Sequence, residues 1–279
     1  MQKRILAAHD ISCVGKCSLT VALPVLSAVG LECSVLPTAV LSTHTGGFTG
    51  YTFRDLTEDV GPILDHWATL DLKVDAIYTG YLGSFEQLRL VERMFEMYPD
   101  ALKFTDPVMA DNGKLYAAFD RSFVKGMAAL CEKADYIIPN LTEATLMLGE
   151  PYVDSGYDEG YIRDMLKKLC AMGPSRAVLT GVSLEPGKLG AMGYDSGTDR
   201  FASCFREKID GYYHGTGDVF GSSLLAAIMG GADMEKGIKT AVDFTVNSLI
   251  RTKNAGTDIR YGVEFEREIP NLIAAVGTV

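Results

Sequence analysis

The sequence predicts an α/β fold: a mostly parallel central sheet flanked by helices on both faces, with a hairpin on one edge. Two observations carry this. Short apolar, β-branched runs recur between longer segments of helical period, which is the signature of repeated βα units. After residue 180 that alternation breaks, and segments 188–194 and 200–206, separated by Asp195-Ser-Gly-Thr-Asp199, read as an edge hairpin.

The elements follow in order. Residues 4–8 are a short apolar run closed by His9 and Asp10, a first strand and too short for a secretory core. A helix is expected over 18–29, a strand over 34–41, and then a loop, Ser42-Thr-His-Thr-Gly-Gly-Phe-Thr-Gly50. Helices at 56–68, 85–98, 122–133, 143–148 and 160–172 alternate with strands at 76–79, 102–106, 136–139 and 177–180. Beyond the hairpin, the polar and aromatic stretch 207–213 leads to Gly215-Thr-Gly-Asp218. That motif opens an apolar helix over 219–229, ended by Gly230-Gly231. Helices at 233–251 and 265–276 close the chain. With 279 residues, 47% of them hydrophobic, and no repeat, linker or charge block, the expectation is one domain with a full core.

Composition also excludes functions. A net charge of -10 disfavours a protein that neutralises nucleic-acid phosphates. No stretch reaches the roughly 18 apolar residues of a membrane span. The six cysteines include no Cys-x-x-Cys pair and no histidine at zinc spacing, so no disulfide framework or zinc site is signalled and a cytoplasmic location is expected.

The most informative segment is His214-Gly-Thr-Gly-Asp-Val-Phe-Gly221. Two glycines one residue apart let the backbone expose consecutive N–H groups at a helix start, a nest for anions. A carboxylate at such a nest repels phosphate, and it makes chemical sense as the acceptor of a proton from a hydroxyl attacking that phosphate. The structural alternative is that Asp218 is a favourable first-turn residue and the glycines only make the turn. Two other glycine fingerprints fail. Gly215, Gly217 and Gly221 are spaced by one residue too many for a dinucleotide fold and follow a polar loop; Gly15-Lys16 is followed by Cys17, and Asp10 stands where a P-loop has its first glycine.

Asn140-Leu-Thr-Glu143 falls at a strand's carboxyl end as a helix begins. Its Asn and Glu face the same way, suited either to orienting water around Mg²⁺ or to capping the helix. Asp106 also ends a strand, facing the same metal or phosphates or merely starting the turn before Pro107. The 42–50 loop suits a mobile contact to a small polar ring, and Tyr81 is a candidate ring-stacking residue or half-buried packing.

Together, Gly80-Tyr-Leu-Gly-Ser84, Asp106-Pro-Val-Met109, Pro139-Asn-Leu-Thr-Glu143 and Gly215-Thr-Gly-Asp218 resemble the ribokinase-like superfamily, and within it the pyridoxal (vitamin B6) kinases, from about residue 3 to residue 251. The resemblance implies ATP and Mg²⁺ as cofactors, often with a monovalent cation such as K⁺, transfer of the γ-phosphoryl group to the 5′-hydroxymethyl group of pyridoxal, pyridoxine or pyridoxamine, and a homodimer. It makes Asp218 the base and the backbone of Gly215, Thr216 and Gly217 the anion hole. Asn140 and Glu143 would organise the metal and its waters, with Asp106 beside the phosphates and Thr180 and Gly181 at the nucleotide end. His44 and Tyr81 would face the pyridine ring. The first loop departs from the pattern: His9-Asp-Ile-Ser-Cys-Val-Gly15 has Asp10 where pyridoxal kinases place a Ser, so either Asp10 or Ser12 contacts the ring hydroxyl. An acidic residue there favours a cationic amine such as pyridoxamine. Two alternatives stand beside this reading: a hydroxymethylpyrimidine kinase, and a non-catalytic small-molecule sensor on the same fold.

Overall fold

The computed structural model describes residues 2–279. In chain order the elements are β1 (Arg4–Val14), α1 (Leu19–Ala28), β2 (Glu32–Thr43), β3 (Phe53–Asp55), α2 (Thr57–Trp67), β4 (Ala76–Thr79), α3 (Phe85–Met97), β5 (Leu102–Thr105), β6 (Ala110–Asp111), β7 (Lys114–Leu115), α4 (Arg121–Glu132), β8 (Tyr136–Ile137), α5 (Leu141–Leu148) and α6 (Glu159–Ala171). They continue with β9 (Arg176–Val182), β10 (Lys188–Asp195), β11 (Arg200–Glu207), α7 (Thr216–Met229), α8 (Met234–Ala255) and α9 (Ile269–Val276).

Nine strands form one sheet in the order β11-β10-β9-β8-β5-β4-β1-β2-β3, and β6 and β7 form a separate small hairpin. The sheet is parallel from β9 to β2, while β3 at one edge and β10 with β11 at the other are antiparallel. Period-2 alternation sends side chains to two cores. Leu6, Ala8 and Ile77 pack with Leu64, Val91, Met127 and Leu166 from α2, α3, α4 and α6. Ile5, Ala76 and Tyr78 pack on the opposite face with Val25, Leu224, Ile238 and Leu272 from α1, α7, α8 and α9. The result is the expected sandwich of a sheet between two helical layers.

Several boundaries differ from the sequence expectation, each for a visible reason. β1 and β2 run on to Val14 and Thr43, where 4–8 and 34–41 were expected; they stay paired through Val14 and Thr43, with a register shift between His9 and Ile11. The polar residues of that extension disguise it as a loop. β3, β6 and β7 have three residues or two, too few to show a periodicity, and β3 is exposed throughout. The last helix begins at Ile269, not 265; a 3₁₀ turn at Glu266–Glu268 precedes it, and Pro270 sits in its first turn. Among the described residues, no helix is long and apolar enough to cross a membrane.

Candidate active site

Strand order reverses between β1 and β4: from β1 the parallel strands continue to β2 on one side and to β4, β5, β8 and β9 on the other. A crevice opens at the carboxyl ends of strands at such a point. Residues from six separate segments lie around this edge. Asp10 and Ser12 are on β1, Gly80 and Tyr81 follow β4, Asp106 follows β5, Asn140 follows β8, Thr180 and Gly181 are on β9, and Gly215 caps α7.

The start of α7 is built for an anion. Gly215 has φ +76, and a Cβ there would lie 1.9 Å from the Lys16 carbonyl oxygen, so only glycine lets the two loops touch. A Cβ at Gly217 would meet nothing within 4 Å, which leaves its backbone open to a ligand. Helices α3, α4, α5, α6 and α8 are each capped by a Ser, Asp or Asn side chain, whereas α7 has no side-chain cap. Its first-turn N–H groups have no partner within the helix and remain free to donate.

Asp218, in that first turn, is only partly open to the cleft. Desolvation is the main force on it, opposed by the Ser18 backbone N–H and reinforced by the charge of Asp10, and its carboxyl is pushed up to about 7. That is a suitable value for a base working near neutral pH. Ser18 ties the two carboxylates together. Its hydroxyl donates to Asp10 Oδ1 at 2.5 Å while its N–H serves Asp218, and it does so from φ 55, an unusual conformation for a side chain with a Cβ. Ser12 donates to the other Asp10 oxygen at 3.1 Å. Burial also holds the Asp10 carboxyl above its ordinary value.

Across the edge lie Asp106 and Glu143, both buried. Glu143 and Asn140 form a reciprocal capping box on α5: the Glu143 N–H donates to Asn140 Oδ1, and Glu143 Oε2 accepts from the Asn140 N–H, each at 2.9 Å. Glu143 Oε1 accepts from the Met109 N–H at 3.1 Å, and Asn140 Nδ2 donates to the Ala110 carbonyl at 2.8 Å. The capping reading of this motif therefore holds. The same bonds fix the loop after Asp106. Asp106 is held well above its ordinary value by desolvation, then by the charges of Glu143 and Asp218, and Glu143 is also raised by burial. No cationic side chain among the described residues pairs with these buried carboxylates, and a divalent cation fits that need. Among the described residues, no three His, Cys, Asp or Glu side chains are grouped to hold a metal directly. The donor set thus suits Mg²⁺, which keeps water and phosphate oxygens as most of its ligands.

The ring-facing candidates are placed differently from one another. His44 is buried, and both of its nitrogens are occupied: Nε2 donates to the Arg260 carbonyl at 2.6 Å, and Nδ1 accepts from the Gly46 N–H at 3.1 Å. These bonds fix a neutral tautomer, so His44 offers a substrate its ring edge or face and no free nitrogen. Tyr81 is half-buried with its ring 5.6 Å from that of Phe119. Thr180 is half-buried and Gly181 opens onto free space at the far end of the edge.

The sequence reading missed Ser18 as a bridge between carboxylates, because a serine before an apolar helix looks like an ordinary cap. It also missed His214, whose ring lies 5.0 Å from that of His44 and 5.1 Å from that of Tyr212. Cys17, read from the sequence as a departure from the P-loop pattern, lies against the same turn; its Sγ would lie 3.4 Å from a Cβ on Gly215. All six cysteines are free thiols.

The sequence matches the phosphomethylpyrimidine kinase family over residues 23–262. The chain belongs to this family. The kinase superposes on a Bacteroides thetaiotaomicron protein assigned as a phosphomethylpyrimidine kinase with a TM-score of 0.94 and 37% identity, covering 97% of this chain and 94% of the other. An orthorhombic crystal form of that protein, with pyridoxal, gives a TM-score of 0.92, 37% identity and coverage of 98% and 96%. Pyridoxal kinase from Lactobacillus plantarum gives 0.91, with 30% identity and 98% coverage of both chains. In sequence, the kinase is 27% identical over 250 residues to the pyridoxine/pyridoxal/pyridoxamine kinase of Bordetella avium, covering 84% of this chain and 80% of that one. The ribokinase-like fold and the pyridoxal kinase resemblance are thus borne out.

Proposed function

We propose that the kinase transfers the γ-phosphoryl group of ATP to the 5′-hydroxymethyl group of a vitamin B6 vitamer: pyridoxal, pyridoxine or pyridoxamine. The observation that carries this reading is the start of α7, where uncapped backbone N–H groups and a carboxylate raised to about 7 share one helical turn at the sheet's switch point. A binding protein for phosphates gains nothing from a carboxylate there, and this argues against a sensor. The relatives named for B6 substrates, and the pyridoxal in the Bacteroides crystals, support the choice of acceptor.

In this reading Asp218 takes the proton of the 5′-hydroxyl as that oxygen attacks the γ-phosphorus, and the bond from the γ-phosphorus to the bridging oxygen breaks to release ADP. The N–H groups at 215–217 and the positive end of α7 stabilise charge building on the transferred group. Mg²⁺, when bound, neutralises phosphate charge. Asp106 would face it, Asn140 and Glu143 would position the Asp106 loop and the surrounding water, and Thr180 with Gly181 would border the nucleotide. Tyr212 supports a covering role for the segment between β11 and α7, since its hydroxyl donates to Asp111 Oδ2 at 2.8 Å and bridges to the β6–β7 hairpin.

The second reading, hydroxymethylpyrimidine as acceptor, is favoured by the description of the matching family. Phosphorylation of the three vitamers and of hydroxymethylpyrimidine by purified protein with Mg-ATP, with Asp218→Asn as control, separates the two. Vitamer turnover lost in the variant supports the main reading; turnover of the pyrimidine alone supports the second; binding without turnover supports a sensor. We further infer a cytoplasmic, single-domain enzyme that works as a homodimer. The free thiols support the first of these, and the exposed apolar side chains of Val14, Tyr51 and Phe53 support association. Light scattering in solution tests the dimer.

A further inference from the structure

We propose that Asp10 selects an amine-bearing vitamer, its carboxylate serving as the counter-charge for the protonated 4′-aminomethyl group of pyridoxamine. The inference rests on the B6 reading and narrows it to one substrate class: a hydroxymethylpyridine with an ammoniomethyl group on the neighbouring ring carbon.

Three observations carry it. First, Asp10 is 5% exposed, and the side chains that donate to it, Ser12 and Ser18, are neutral. A buried carboxylate without a cation is costly, and each oxygen still has lone-pair capacity for an N–H donor. Second, Ser18 fixes Asp10 next to Asp218, one through its hydroxyl and the other through its N–H. A group held by Asp10 therefore lies close to the hydroxyl that Asp218 serves, as the 4′ and 5′ arms of one ring do. Third, the cationic side chains of the surrounding loops are turned elsewhere. Lys16 pairs with Glu266 at 2.8 Å and Arg260 with Asp258 at 2.6 Å, so Arg260 contributes only its carbonyl to the site, where it accepts from His44, a ring that burial and the Gly46 N–H keep neutral. The substrate end of the cleft thus carries negative charge that an ammonium balances on entry, and the alcohol of pyridoxine or the aldehyde of pyridoxal does not.

The test compares kcat/KM for pyridoxamine and pyridoxine near neutral pH at saturating Mg-ATP, in the wild type, Asp10→Asn and Asp10→Ser. The wild type prefers pyridoxamine, and the pyridoxamine-to-pyridoxine ratio falls about tenfold or more in both variants, the scale of a lost charge-assisted hydrogen bond. A ratio that stays within about twofold in both variants, or equal losses on both substrates, overturns the proposal. Calorimetry on the wild type alone guards against variants that fail to fold. With Mg-ADP present, pyridoxamine binds about tenfold more tightly than pyridoxine, and equal affinities overturn the proposal. A wild type that phosphorylates only hydroxymethylpyrimidine overturns the B6 reading itself, and is recognised before any variant is made.

Discussion

Replacing Asp218 by Asn should make the protein more stable while abolishing its turnover. Burial carries this carboxyl from its ordinary 3.8 to about 7. Ionising it in the folded chain therefore costs on the order of 4 kcal/mol more than in the unfolded chain. Partial opening to the cleft and structural relaxation reduce this, and we expect ~2 kcal/mol, or a Tm rise of roughly 5 °C for a chain of this size. The sign fixes the pH dependence. A carboxyl raised in the folded state keeps its proton there more tightly, so the penalty is absent near pH 4, develops as pH rises towards 7, and is complete above it. Asp218→Asn carries no such penalty. Thermal unfolding followed by circular dichroism from about pH 4 to about pH 8 should show the variant's advantage growing across that window, while kcat falls by roughly 10² or more. A Tm difference that does not change with pH refutes the burial argument; a kcat close to wild type refutes the assignment of the base.

Other outcomes follow from the same geometry. Wild-type kcat/KM should decline below about pH 7 as Asp218 protonates, and Asp10→Asn should move this limb to lower pH because the Asp10 charge helps to hold Asp218 up. Initial rates across a pH series check both. Gly215→Ala places a Cβ against the Lys16 carbonyl and should cost about 10² or more in kcat, whereas Gly217→Ala has room, folds normally and should chiefly raise the KM for ATP. Tyr212→Phe removes the hydroxyl that reaches Asp111, and should raise ATP hydrolysis in the absence of acceptor relative to productive transfer. A coupled ADP assay with and without vitamer measures this.

The fold was legible because the strands at the centre of its sheet are buried on both faces. Segments such as Ala76–Thr79 are short apolar runs between helices of clear period, and local sequence suffices to place them. The extension of β1 through His9, Asp10 and Ser12 was hidden, because functional residues interrupt the apolar pattern that marks a strand. The same tension appears in the candidate site. Gly215-Thr-Gly-Asp218 announces itself, since its glycine spacing has a local backbone meaning. Ser18 does not, because its two carboxylate contacts are set by how α1 and α7 come together in space. His44 looked like a ligand for the ring, and only the fold shows both of its nitrogens already engaged, Nε2 by the Arg260 carbonyl 216 residues further on and Nδ1 by the Gly46 N–H.

The contact between Gly215 and Lys16 has a counterpart from a distant turn of the chain. A Cβ on Gly262 would lie 2.9 Å from Lys16 Cβ and 3.1 Å from both its nitrogen and its oxygen. Lys16 thus lies close against two glycines from distant parts of the chain, and a Cβ at either would crowd it. Mutational scanning should therefore find position 262, outside the motifs that announce the chemistry, about as intolerant as the motif itself. Variants there would read as catalytic defects although residue 262 bears no reactive group, and the heritable unit of this active site includes a C-terminal turn that motif searches pass over.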